Sequence, residues 1–184
     1  MMNQVDLSRF NNTWYKPGGN LTKRILWYLT NLIFFNSGFP INGIKVFLLR
    51  LYGSKVGKAV VIKPWVSIKY PWKLKLGSDV WIGERVWIDN LGDVTIGDNV
   101  CLSQGALLLC GNHDYKKPTF DLLVGDIILE EGVWIGANAT VCPSVTCFSH
   151  SVLSVGSVAT SDLEAYKVYQ GNPAEMLRER IIQQ

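Results

Sequence analysis

The chain has 184 residues, 48% hydrophobic and 18% charged, with a formal net charge of +3. That length holds one domain with a real core, and that balance excludes a disordered chain. The basic residues are scattered along the sequence, so no nucleic-acid partner is indicated, while a modest positive charge suits a polyanionic small molecule.

Residues 1–20 are polar and lack the apolar core of a secretory signal, and Asp6–Asn20 reads as irregular with a breaker at Pro17-Gly18-Gly19. From Leu21 the text turns helical, LTKRILWYLTNLIFF, with Thr22 as the expected cap and apolar residues nearly all round. Its uninterrupted apolar part runs about ten residues, short of the roughly 20 that a membrane span requires. A second helix, Ile41–Leu51, follows the break at Gly38-Phe39-Pro40 and sets Ile44, Val46, Phe47, Leu48 and Leu51 opposite Lys45 and Arg50. Residues 1–55 thus form an N-terminal helical segment, for which two compatible readings stand. The helices cap the open edge of the domain that begins at residue 56. They also suit peripheral membrane contact through residues 21–51, with Lys23, Arg24, Lys45 and Arg50 toward anionic headgroups.

From residue 56 apolar residues recur at every sixth position: Val56, Ile62, Ile68; Leu76, Ile82, Ile88; Ile96, Leu102, Leu108. Past a gap they resume as Leu129, Ile135, Val141, Cys147, Leu153 and Ala159. Helices repeat at three and four and strands at two, so this spacing predicts short strands with a corner every sixth residue, a parallel β-helix. Val60, Val66, Val80, Val86, Val100, Val133 and Val145 fill a second inward position. Gly57, Gly77, Gly83, Gly97 and Gly136 follow the aliphatics, as corners with unusual dihedrals would demand. Three hexapeptides make one triangular coil about 4.8 Å high, so residues 56–161 supply about five coils. The slips at Tyr70–Lys75 and Asp89–Thr95 read as corners with small bulges. Trp81, Trp87 and Trp134 fall on outward positions, suited to contacts between subunits, and Trp134 also suits a ligand wall.

The repeat breaks at Gly111–Asp126, GNHDYKKPTFDLLVGD, a loop insertion over 111–127 that Pro118 and its charges keep out of the coil. A long loop inside a regular solenoid is usually functional, and this one holds His113, one of only two histidines. His113 is five past Leu108 as Asp93 is five past Ile88, which predicts the two stacked on adjacent coils, Asp93 orienting the imidazole or touching substrate. Asn112 and Asp114 are further acceptor-binding candidates, and His150 falls on an outward corner. Cys101, Cys110, Cys142 and Cys147 show neither a CxxC pair nor zinc spacing, which fits reduced thiols in a cytosolic protein and no metal site.

LGSDVWIGERVW, VTIGDNVCL, the GNHD loop, VWIGANATVCPSV and the closing QGNPAEMLRER together resemble the left-handed β-helix hexapeptide acyltransferases. The resemblance is strongest to the acetyltransferases of colanic acid (exopolysaccharide) biosynthesis and covers essentially the whole chain. It implies an all-β fold, a left-handed parallel β-helix with an N-terminal helical segment, and a short C-terminal helix within the extension 162–184. It further implies a cytoplasmic homotrimer, peripheral at the inner membrane if the helices touch lipid. Acetyl-CoA would bind between adjacent prisms and be spent on a saccharide hydroxyl, the acceptor being nucleotide- or lipid-linked. By motif, His113 matches the catalytic base, and acetyl-CoA contacts fall on Ala137, Val155, Thr160, Ser161 and Arg178, beside Trp134 and Gly136. Ser161 stands where the family commonly has lysine, which shifts phosphate binding toward Arg178, Lys167 or Arg180.

The chemistry agrees with that resemblance. A hydroxyl is a poor nucleophile at neutral pH, and a neutral imidazole is the natural base to activate it, worth about 10²–10⁴ in rate. Backbone N–H groups near Gly136 are candidate oxyanion donors. Transfer to an amine of an amino sugar, a xenobiotic hydroxyl as acceptor, and a binding prism without catalysis are the alternatives. A zinc hydratase on such a fold needs three histidine ligands, and this chain has two.

Overall fold

From Lys55 the chain advances in strands of two or three residues, each ending at a corner, and these stack into three parallel sheets that face a prism. The computed structural model describes residues 4–183; residues 1–3 and 184, at the ends of the expected segments 1–55 and 162–184, lie outside the described residues. The first face holds Lys55–Val56, Leu74–Leu76, Val94–Ile96, Ile127–Leu129 and Thr146–Cys147. The second holds Val61–Ile62, Trp81–Ile82, Cys101–Leu102, Trp134–Ile135, Val152–Leu153 and Lys167–Gly171. The third holds Ser67–Ile68, Trp87–Asp89, Leu107–Leu109, Thr140–Val141 and Val158–Ala159. Five complete coils and part of a sixth result, close to the number the periodicity predicts.

The sixfold residues all turn inward, and apart from the half-buried Val56 every one is buried. They stack on their own kind: Ile82 over Leu102, Ile135 and Leu153 on the second face, and Ile88 over Leu108, Val141 and Ala159 on the third. The second inward valines are buried as well. Each such aliphatic contributes about 1.5–3 kcal/mol on leaving water, which makes the ladder the main source of stability.

The corners behave differently from expectation. Left-handed residues stand two places after the predicted glycines, as at Ala59, Asp79 and Asn99, which stack with Gly132 and His150 at one edge. Trp65, Arg85, Gly105, Asn138 and Gly156 stack at the next edge. Glycine is required at 57, 77, 97 and 136 for space instead: a Cβ on Gly77 would lie 2.6 Å from the Gly97 carbonyl carbon, and one on Gly136 2.6 Å from Val155 N. The slip after Tyr70 is a 3₁₀ turn, Pro71–Lys73, locked by the fully buried Asn90, whose amide meets both Tyr70 N and Tyr70 O at 2.9 and 2.6 Å.

Two helices close the first coil. Helix α1 (Leu21–Thr30) runs on through a wider π turn over Asn31–Phe35, and α2 (Asn42–Leu51) comes after the predicted break. The N-cap of α1 is Asn20 rather than Thr22, its Oδ1 accepting Lys23 N–H at 2.8 Å. The second helix departs from the expected sense at three positions: Lys45 is fully buried, and Phe47 and Leu51 are exposed, while Val46 and Leu48 pack half-buried on the core and Arg50 stays exposed. The coil explains this. Neighbouring coils exchange N–H···O bonds in both directions, as Val61 N to Val80 O and Asp79 N to Lys58 O, so the carbonyls of coil 1 that face away from coil 2 have no coil to serve them. Side chains supply the missing donors. Asn42 Nδ2 reaches Val60 O, Lys45 Nζ reaches Ile62 O and Lys63 O, Arg50 reaches Val56 O and Gly57 O, and Trp27 Nε1 reaches Ile68 O. The polar face is turned inward because the open edge is polar.

The other end also departs from expectation. Residues 167–179 form no helix. Lys167–Gly171 extends the second face in parallel under Val152–Leu153, and Ala174–Glu179 folds back on it antiparallel. The unpaired edge of the last coil demands backbone partners, and a hairpin provides them where a helix would not.

Candidate active site

The inserted loop leaves the prism at the corner between the third and first faces. Cys110 N–H donates to Asp89 O and Gly125 N–H to Cys110 O, so the loop starts and ends at one point. Between them Gly111–His113 and Leu122–Val124 pair antiparallel, His113 opposite Leu122. The tip is a tight turn held by Asp114, whose carboxylate accepts Lys116 N–H, and by the Lys117–Asp121 ion pair at 3.0 Å. The result aims one imidazole back at the prism.

His113 is held on two sides. Its ring stacks on Phe120 at 4.3 Å and 7°, and Phe10 of the N-terminal arm lies tilted at 5.7 Å. Its Nδ1 is 2.9 Å from Phe120 O. A carbonyl only accepts, so Nδ1 carries the hydrogen and the neutral ring keeps its lone pair on Nε2. This is the tautomer a base needs. The ring borders a cleft of about 650 Å³, walled by Asn12 and Tyr15 of the arm, Arg24 of α1, and Lys69 and Tyr70 of the first coil. Tyr15 donates to Leu91 O at 2.8 Å, and burial together with nearby Tyr70 and Asp89 raises its pKa, so it stays a neutral phenol. Lys69 is paired with Asp89 at 2.7 Å, whereas the buried Nε of Arg24 has no hydrogen-bond partner among the described residues.

The acceptor candidates fall elsewhere. Asp93 does not stack under His113: Asp126 stands above it, with Asp93 N–H on Asp126 Oδ1 at 2.7 Å and Ile127 N–H on Asp93 O. The hairpin leaves before the sixfold count reaches His113, and the first face resumes after Asp126. Asn112 Oδ1 accepts His113 N–H at 2.8 Å, so Asn112, like Asp114, shapes the loop and does not border the cleft. The arm residues Phe10, Asn12 and Tyr15 belong to no repeat or motif of the sequence, so nothing in it singles them out.

A second groove, about 660 Å³, runs along the lower second face and its corner with the third. Trp134, Gly136, Ala137, Val155 and Arg178 all line it, and Trp134 Nε1 donates to Ser103 Oγ at 2.9 Å, which fixes the indole. Thr160 and Ser161 are exposed at the corner between the third and first faces, outside this groove. Of the three basic candidates, Lys167 is paired with Glu164, and Arg180 donates to Gly132 O and His150 O at 2.8 and 3.0 Å. Arg178 remains exposed at the groove. The N–H groups of Gly136, Asn138 and Ala139 donate to Leu153 O, Gln104 O and Gly136 O, so none of them is free for an oxyanion. Burial pushes the Cys110 and Cys147 thiols up to about 12, which leaves neither as a nucleophile at neutral pH. Among the described residues no three His, Cys, Asp or Glu side chains come together as a metal-ligand set.

The fold defines a class. It matches an acetyl-CoA complex of a hexapeptide-repeat acetyltransferase from Vibrio cholerae, VCA0836, with a TM-score of 0.77 over 88% of each chain at 23% identity. No family model matches the sequence. WcaF of Escherichia coli (strain K12), which carries the name of a colanic acid biosynthesis acetyltransferase, is 39% identical over 177 residues, 96% of this chain and 97% of that protein. The galactoside O-acetyltransferase of the same organism is 27% identical over 135 residues, 72% of this chain and 66% of its own length. The chain belongs to the hexapeptide-repeat acetyltransferases, with WcaF among its relatives, and it is an enzyme of acetyl transfer.

Proposed function

We propose that the protein transfers acetyl from acetyl-CoA to a hydroxyl of a saccharide acceptor, in exopolysaccharide biosynthesis in the cytoplasm, with His113 as general base. The observation that carries this reading is the Nδ1–H bond to Phe120 O, which leaves Nε2 basic at the edge of a cleft. Nε2 takes the proton of the acceptor hydroxyl as its oxygen forms a bond to the thioester carbonyl carbon. The C–S bond breaks, the imidazolium returns its proton to the departing sulfur, and the neutral ring is restored. The aromatic rings of Phe10, Tyr15 and Tyr70 suit the C–H faces of a sugar, and Asn12, Thr13 and Arg24 suit its hydroxyls. The names of WcaF and the galactoside enzyme agree with this choice.

Acetyl-CoA fits the second groove. Val152, Val155 and Trp134 offer an apolar wall to the pantetheine arm, and Arg178 a cation to a phosphate. That groove and His113 lie at different corners of one chain, separated by the third-face strand from Gln104 to Cys110, about 20 Å at 3.3 Å per residue. A base must come within hydrogen-bond reach of the proton it removes. A homotrimer that sets the groove of one subunit against His113 of the next meets the requirement. His113→Ala should lower kcat by at least about 10² with acetyl-CoA affinity unchanged. Near-normal turnover by that variant would remove His113 from the reaction.

A further inference from the structure

We infer that the helical end of the prism docks on an anionic bilayer surface, a property separate from acetyl transfer. Trp27 of α1 and Asn42, Lys45 and Arg50 of α2 spend their donors on the orphan carbonyls of coil 1. What the helices turn outward is apolar: Ile25, Leu29, Leu32 and Ile33 succeed one another at helical spacing, and Phe47 and Leu51 do so on α2, with Phe47 62% and Leu51 65% exposed. A helix normally presents these residues to a core. Here the core side is already filled, by Trp27, Phe35 and Leu49.

Charge selects the partner. Residues 1–78 hold twelve of the eighteen Lys and Arg and one of the fifteen Asp and Glu, a net of +11; residues 79–184 carry −8. Coils advance along the prism in sequence order, so charges scattered along the chain become a strong polarity along its axis. Lys55, Lys58 and Lys63 stand exposed on the coil directly beneath the helices, and Lys16 on the arm beside them. Apolar side chains bordered by cations are the signature of a helix lying in an anionic interface. A second copy meeting this face end to end would bring two such positive ends together, which favours lipid over self-association. Among the described residues no helix is long and apolar enough to cross a membrane, so the contact is peripheral. A groove of about 590 Å³ between α1 and coils 1 and 2 shares Arg24, Lys69 and Tyr70 with the His113 cleft, so the cleft opens near the same surface.

The test is co-sedimentation of the full chain with vesicles of phosphatidylcholine alone or with 30% phosphatidylglycerol. We expect binding at least tenfold tighter to the anionic vesicles at 50 mM salt, largely lost at 0.5 M. Ile25→Glu with Phe47→Glu should abolish pelleting, and Lys55→Glu with Lys58→Glu and Lys63→Glu should lower it at least tenfold. Both sets should keep the wild-type circular dichroism and turnover of a soluble acceptor. Wild-type protein left in the supernatant, equal binding to neutral vesicles, or Ile25→Glu with Phe47→Glu pelleting like wild type overturns the inference. So does a fall in particle mass for that variant without vesicle binding by wild type, which would make the face a contact between copies. Vesicle binding is read without acetyl transfer, so a failed enzymatic reading would leave this result standing.

Discussion

Asn42 gives the sharpest test of the claim that α2 is oriented by orphan carbonyls. It is the first residue of α2, and its side chain bridges the coil edge: Nδ2 donates to Val60 O at 2.8 Å and Oδ1 accepts Ile62 N–H at 2.7 Å. Helix rules alone favour Asn42→Asp, since a carboxylate at a helix start gains about 0.3–1 kcal/mol from the dipole. The edge geometry predicts the opposite. Asp keeps the Ile62 bond but sets a second acceptor against Val60 O, leaving that part-buried carbonyl without a donor at about 1–3 kcal/mol. The net is a loss of about 1–2 kcal/mol. Asn42→Ala loses both bonds, about 0.5–1.5 kcal/mol each, and should fall in the same range. Urea unfolding monitored by tryptophan fluorescence, with Trp27 at the helix–coil junction, reads both variants. The Asp deficit should shrink as pH falls through about 4, because a protonated carboxyl regains a donor. An Asp variant as stable as wild type at neutral pH would show that α2 sits there for some other reason.

The groove and the proposed homotrimer give two further expected outcomes. Trp134→Phe removes the bond to Ser103 and part of the groove wall; it should raise the acetyl-CoA Kd about three- to tenfold, the equivalent of one net hydrogen bond, with kcat at saturation unchanged. Calorimetry showing an unaltered Kd would remove Trp134 from that wall. Oligomers mixed from His113→Ala and Arg178→Glu chains should be more active than either parent, since an intact His113 then meets an intact groove across an interface. No rescue would place both residues in a site within one chain.

The prism is legible because a solenoid writes its structure in local arithmetic. Ile96, Leu102 and Leu108, and again Leu129, Ile135, Val141, Cys147, Leu153 and Ala159, each stand six residues from the last, and one side chain decides whether a strand fits its coil. The glycines are legible as necessary but not for the right reason. Spacing finds the corner at Gly77, while only the stacked neighbour shows that the limit is the distance to Gly97 and not a dihedral. The C-terminal text AEMLRER has ordinary helix propensity. It becomes a strand because the last edge of the second face is open beside it, which no local pattern encodes.

The site divides in the same way. His113 stands out because it sits where the repeat stops, a local event. The expected pairing with Asp93 fails, because counting sixes across the break assumes that the coil continues, and the chain has already left it at Cys110. Lys45 shows the same limit in sharper form. An amphipathic helix read from sequence assumes water on its polar side, yet the polar side of α2 faces a row of carbonyls that exist only because coil 1 has no predecessor. The same absence explains why Phe47 and Leu51 look outward. The arm that carries Phe10 and Tyr15 to the imidazole has no periodicity at all; it is placed by single long-range bonds, Asp6 N–H to Pro118 O and Tyr15 Oη–H to Leu91 O. Residues placed by repetition can be read from the chain, and residues placed by the ends of a repetition become readable only once its partners are in space.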